Sequence, residues 1–156
     1  MKQILALMLS SLVVFGAGCA TYPTDTSAPT VSGGTTEDLS NRGLTAIPQS
    51  VFTRKEITTL DLSNNQLANA PQAEIRQLVN LVTLDLSGNK LTGLPAELGQ
   101  LRKLETLDVS NNSLTGLPLE LGNLTQLRIL DVSNNPYSVK DLEQIASKLI
   151  NTEIRR

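Results

Sequence analysis

One pattern recurs along this chain at a nearly fixed step. From Ile57 the sequence reads ITTLDLSNNQLANAP, and from Leu81 it reads LVTLDLSGNKLTGLP. From Leu104 it reads LETLDVSNNSLTGLP, and from Leu127 LRILDVSNNPYSVKD. A shorter copy, DLSNRGLTAIP, starts at Asp38. Leu44, Leu67, Leu91, Leu114 and Tyr137 hold one position of the repeat, at steps of 23, 24, 23 and 23 residues. A period in this range calls for stacked identical units rather than one ordinary globular core.

The chemistry inside each copy says what a unit looks like. In Thr59-Leu60-Asp61-Leu62-Ser63 apolar and polar residues alternate, the pattern of a half-buried strand. Leu60 and Leu62 are expected inward, and Thr59, Asp61 and Ser63 outward. After Leu94-Pro95, the run Ala96 to Leu101 spaces its leucines three apart, which suits a short 3-10 or helical turn on the opposite side. No unit can bury its leucines alone, and stacking makes a continuous core. Leu supplies 28 of the 156 residues, enough to fill that core without aromatics. Each buried Leu contributes roughly 1.5–3 kcal/mol.

These copies resemble the leucine-rich repeat family, over Asp38 to about Asn151. The resemblance implies an α/β fold: a short, curved, right-handed solenoid with a parallel sheet on its concave side and 3-10 or helical turns on the convex side. It also implies that Asn65, Asn89, Asn112 and Asn135 point inward, where their amides bond backbone groups of neighbouring turns. A buried bend leaves peptide groups unpaired, and Asn offers both donors and an acceptor. The first copy has Arg42 at that position, which marks it as the N-terminal cap. In the copy from Ile57, Ala70 stands where Leu94 stands, and one extra residue lies between Pro71 and Ile75, so this repeat is expected to be looser. At the far end, Ser138 to Asp141 resembles a capping box with Asp in place of Glu. Leu142, Ile145, Ala146 and Leu149 follow at helical spacing. A helix over residues 139–150 is expected to cover the last open turn, or alternatively to dock a partner helix. Residues 152–156 are expected to be a frayed tail.

The N-terminus reads as an address. A short positive start precedes an apolar run from Ile4 to Phe15, too short to span a bilayer. Gly16-Ala17-Gly18 and then Cys19, the one cysteine, follow. This resembles a bacterial lipoprotein signal over residues 1–18, which implies lipidation at Cys19. The same residues would also suit an ordinary secretory signal. Ala20 after Cys19 implies, by the same resemblance, the outer membrane of the cell envelope. Several acyl chains make a stable anchor where one is marginal. Residues 20–37, ATYPTDTSAPTVSGGTTE, hold too little apolar surface to offset ordering entropy. With Cys19 they are expected to form a disordered linker over 19–37, and the repeat domain is expected over 38–151.

Composition narrows the function. The chain lacks His, so no Ser-His-Asp triad or HExxH zinc site is available. One Cys forms neither an internal disulfide nor a thiolate zinc site. With 3% aromatics and a net charge of −2, neither base stacking nor a phosphate-binding surface is indicated. No catalytic residue, metal or cofactor is expected. The expected function is that of a monomeric, membrane-anchored protein-interaction module, with a passive envelope lipoprotein as the alternative. By resemblance the partner, a protein, binds the concave face. There Asp61, Asp85, Asp108 and Asp131 form a column, which Asp38 would extend. At about 4.8 Å spacing, adjacent charges repel by about 3.5 kcal/mol at an effective dielectric near 20, and by roughly 0.9 in bulk water. The stripe would attract a basic segment or a cation, unless Asp-Leu-Ser is merely repeat filler. Ser63, Ser87, Ser110 and Ser133 form a second outward column. The column that varies is Thr58, Val82, Glu105 and Arg128, the first place to look for specificity. Arg54-Lys55 and Arg102-Lys103 would make a small basic ridge.

Overall fold

The computed structural model describes residues 34–69 and 73–156. Cys19, the signal and most of the linker lie outside the described residues, as do Ala70 and Pro71. Six strands form one parallel sheet in chain order: β1 (Thr35–Asp38), β2 (Ile57–Asp61), β3 (Thr83–Asp85), β4 (Thr106–Asp108), β5 (Ile129–Asp131) and β6 (Glu153–Arg155). Each return limb carries a short helical turn. These are α1 (Gln49–Phe52), three 3-10 turns (Ala73–Gln77, Ala96–Gln100 and Leu119–Asn123) and α2 (Val139–Ala146). The architecture is a leucine-rich repeat solenoid.

The register repeats without slippage from β2 onward. Leu60, Leu84, Leu107 and Leu130 lie side by side and are fully buried. Leu62, Leu86, Val109 and Val132 continue the core one alternation later. Ile75, Leu98 and Leu121 close it from the helical side. The core is aliphatic except at the N-terminal end, where Phe52 plugs the stack at 1% exposure. Gly99 keeps two turns close: a Cβ there would stand 2.3 Å from the Glu120 carbonyl oxygen.

Both ends of the sheet differ from expectation. β1 starts at Thr35, so residues 35–37 belong to the sheet rather than to the linker. β2 supplies the hydrogen-bonding partners that this polar stretch cannot supply itself. Glu37 lies beside Leu60 and is held by Arg54. The tail is not frayed either. The Val132 N–H donates to the Arg155 carbonyl at 3.0 Å, and the Glu153 N–H to the Arg128 carbonyl at 2.8 Å. Ile154 packs against the core. The expected helix over 139–150 stops at Ala146. Beyond it, the Lys148 and Leu149 N–H groups bond the carbonyls of Ile145 and Ala146, three residues back. That tighter turn keeps Leu149 buried while redirecting the chain into β6. Ser138 caps α2 by accepting from the Asp141 N–H at 3.3 Å. The reciprocal half of a capping box is replaced: the Asp141 carboxylate accepts from the Leu117 N–H at 3.4 Å and ties the cap to the preceding repeat.

Candidate interaction surface

The loops that leave the strands are organised by three rows of polar side chains. In the first row each Asp accepts, through Oδ1, the backbone N–H two residues on. Asp61 receives Ser63 at 2.8 Å, Asp85 Ser87 at 2.8 Å, Asp108 Ser110 at 2.9 Å and Asp131 Ser133 at 3.0 Å. Asp38 does the same with Ser40 at 2.9 Å. The carboxylate therefore ends each strand by turning the chain.

In the second row Asn41, Asn64, Gly88, Asn111 and Asn134 all have φ between 54° and 63°. Asn and Gly are the residues that tolerate this left-handed conformation. This row was not singled out from the sequence, although each copy shows it as the Asn or Gly after Ser.

The third row is Asn65, Asn89, Asn112 and Asn135. The Asn112 amide donates to the carbonyls of Leu86, Val109 and Ser110 at 3.0–3.1 Å, and its Oδ1 accepts the Leu91 N–H at 3.0 Å. Asn89 and Asn135 repeat the arrangement one turn either side. Asn65 accepts from both Arg42 and Leu44 N–H groups. Arg42 itself is exposed, and its guanidinium donates to the Asp38 carbonyl at 2.7 Å. Ser63 and Ser110 are buried, at 8% and 6% exposure, rather than outward as expected, and Ser87 and Ser133 are half-buried. The Ser carbonyls accept from the Asn amides, which draws the turn inward.

The outer face of the sheet is what remains for a partner. Asp38, Asp61, Asp85, Asp108 and Asp131 stand in register, and Arg155 occupies the sixth place beside Asp131. Thr36, Thr59, Thr83 and Thr106 form the neighbouring column, followed by Ile129 and Glu153. The terminal members Thr36, Glu153 and Arg155 were not singled out from the sequence, yet Thr36 lies 23 residues before Thr59, and Glu153 and Arg155 lie 24 after Ile129 and Asp131. At the middle of the ladder, burial pushes the Asp85 carboxyl above its ordinary pKa, and Asp108 and Asp61 add to the rise. The two hydrogen bonds from Ser87 oppose it. At the far end Glu153 chiefly, with Asp131 and Asp108, raises Arg155.

The varying column is partly occupied by itself. Arg128 and Glu105 form an ion pair at 3.3 Å, and the Thr58 hydroxyl donates to the Thr35 carbonyl at 3.4 Å. Val82 is half-buried between them. Among the described residues no group of three or more carboxylate, Cys or His side chains is placed to hold a metal ion. Nor is any helix among them long and apolar enough to cross a membrane.

A leucine-rich repeat region is matched over residues 47–148. The chain belongs to the leucine-rich repeat family. Its fold is shared by a leucine-rich repeat protein of Leptospira interrogans, at 42% identity and a TM-score of 0.67. That match covers 71% of this chain and 28% of the Leptospira protein, so the chain spans under a third of that relative. The ectodomain of the receptor kinase SOBIR1 from Arabidopsis thaliana matches at 36% identity and a TM-score of 0.63, over 76% of this chain and 65% of that one. The BIR3–SERK2 complex of Arabidopsis thaliana matches at 40% identity and a TM-score of 0.56, over 60% and 51%. No curated relative matches the chain. Leucine-rich repeat domains generally mediate protein–protein interaction, and the fold is typically a non-catalytic scaffold.

Proposed function

We propose that this chain is an envelope-anchored interaction module that binds a protein partner through the concave outer face of its sheet. The observation that carries the reading is the in-register ladder Asp61, Asp85, Asp108 and Asp131, which meets a cationic side chain in its own column only at Arg155. Such a face suits a basic, extended or helical partner segment. Its attraction is long-ranged at low salt and screened at high salt. The hydroxyls of Thr59, Thr83 and Thr106 lie alongside as hydrogen-bonding groups. That one matched structure is a complex of two proteins supports partner binding as the use of the fold.

The anchor is Cys19, its thiol carrying a diacylglycerol before signal cleavage and its new amino end acylated afterwards, and the outer membrane is the proposed site. The domain acts as a monomer. A second reading, a structural envelope lipoprotein without a specific partner, draws on a separate observation: every Asp of the ladder already has a structural task in its turn.

Photo-crosslinking in cells separates the two. A crosslinker at Thr83, on the outer face, should capture one defined protein that a crosslinker at Arg76, on the helical side, does not. Equal, diffuse products from both positions would favour the passive reading. Metabolic palmitate labelling tests the anchor: the wild-type chain should label and Cys19→Ser should not.

A further inference from the structure

All six strands run parallel, so their starting ends line one edge of the sheet. That edge carries Glu37, Glu56, Glu105 and Glu153. Each of these acids meets an arginine: Glu105 meets Arg128 and Glu153 meets Arg155, while Glu37 and Glu56 share Arg54 and leave one negative charge over, so the edge keeps a net positive charge only through its further cations. Lys55, Arg102 and Lys103 stand in the turns leading into β2 and β4. They are exposed and have no ion-pair partner among the described residues. The hydrogen-bond partners of the Arg102 and Lys103 side chains are neutral. Lys103 Nζ donates to Asn80 Oδ1 at 2.7 Å, Asn80 Nδ2 donates to the Lys55 carbonyl at 2.9 Å, and Arg102 donates to the Asn123 carbonyl at 2.6 Å. Asn80 thus links the two basic turns across the intervening repeat; the Arg102 and Lys103 charges are held in place by neutral groups, and Lys55 joins the network through its carbonyl alone.

We propose that this edge is a docking surface for an anionic phospholipid bilayer, seated through Lys55, Arg102 and Lys103. Charge complementarity is the first argument. The molecule is net acidic, at −2, but its acidic ladder stands at the other end of the strands. Lys55 sits in the turn that the Ile57 N–H closes onto the Arg54 carbonyl, and from Ile57 to Asp61 the strand runs four steps, about 13 Å. That exceeds the Debye length of about 8 Å at physiological salt, so a surface touching the basic edge is largely screened from the ladder.

Connectivity is the second argument. Gly34, the first described residue, enters β1 at this same edge and sits against Thr58, so closely that a Cβ would lie 1.8 Å from the Thr58 hydroxyl. Residues 1–33 therefore join the domain where the cations are. A membrane anchor at Cys19, fifteen residues before Gly34, would bring this edge to the bilayer first. In this respect the inference rests on the anchored reading above; the charge argument does not. Docked in this way, the domain would present the Asp ladder and the left-handed Asn row away from the lipid.

The test is vesicle flotation of the full chain carrying Cys19→Ser and Lys2→Gln with an acetylated amino terminus, so that neither acylation nor the positive N-terminal start contributes. Vesicles of phosphatidylcholine are compared with the same lipid mixed with phosphatidylglycerol. The apolar N-terminal run binds both, so the readout is the ratio of the two partition coefficients. The ratio should favour the anionic vesicles by roughly fivefold per cation at low salt and collapse at high salt. Lys55→Gln, Arg102→Gln and Lys103→Gln should each remove about one such factor, and the triple variant should remove the preference. Arg42→Gln with Lys90→Gln, at the opposite edge, should leave it intact. Equal partitioning of the parent chain, or a triple variant that keeps the preference, would overturn the proposal. The single variants preserve the test should the triple variant fail to fold by circular dichroism. Palmitate labelling reads the anchor separately: an unlabelled wild-type chain with an intact anionic preference would defeat the anchor and leave the docking edge standing.

Discussion

Asn112 has its whole amide committed to main-chain groups of two neighbouring repeats. Asn112→Ala would orphan the buried Leu91 N–H. The three carbonyls keep a second donor each: Asn89 Nδ2 at Leu86, Asn135 Nδ2 at Val109 and the Gly88 N–H at Ser110. One buried orphan costs about 1–3 kcal/mol, and that is the expected loss, read as a lower urea midpoint. Asp85 behaves differently. Its folded pKa is raised, so the folded state holds its proton more tightly than the unfolded chain does. This carboxylate therefore opposes folding above the raised pKa, and the penalty disappears as pH falls through it. Asp85→Asn keeps the Oδ1 acceptor for the Ser87 N–H and discards the charge. Thermal melts should show the variant more stable than wild type at pH 7, with the gain vanishing in acid. Asp85→Ala, which loses the acceptor as well, should be less stable than Asp85→Asn by about 1 kcal/mol at every pH.

At the scale of elements, strands β2 to β5 were legible because the 23–24-residue step repeats Leu-Asp-Leu or Leu-Asp-Val each time. The bounding strands were not. Thr35 to Asp38 and Glu153 to Arg155 carry few apolar residues, and their order comes from backbone bonds to β2 and β5 rather than from side-chain burial. Composition reports burial, so it read both as loose ends. The Ser column was misplaced for a related reason. Period-two alternation holds only while the strand lasts, and the Asp side chain stops each strand before Ser. The position-specific need for a left-handed residue at Asn64, Gly88, Asn111 and Asn134 is conformational and leaves no hydrophobic signal. The C-terminal cap should be correspondingly sensitive. Ser138→Ala removes the α2 N-cap and should cost about 1 kcal/mol in a denaturant titration. Gly99→Ala would drive a methyl into the Glu120 carbonyl and should cost about 1–3 kcal/mol. A Gly93→Ala control, where a Cβ meets nothing within 4 Å, should escape that overpacking cost.

At the scale of the whole molecule, the described residues form a stack in which each repeat completes its neighbours, closed by Phe52 at one end and by α2 and β6 at the other. Every buried side-chain nitrogen and oxygen among the described residues has a hydrogen-bond partner. Its interior polar groups thus hold the turns, and the Asp ladder at the strand ends stands apart from Lys55, Arg102 and Lys103, where the strands begin. The central claim is that the acidic outer face recognises a partner. The most direct measurement is the affinity of the crosslinked partner for wild type and for Asp85→Asn with Asp108→Asn, across a range of salt. Both substitutions keep the turn-forming oxygen, so the fold is held constant. Recognition by the ladder predicts weaker binding by the double variant at low salt and convergence of the two proteins at high salt. Identical affinities at every salt concentration would contradict it.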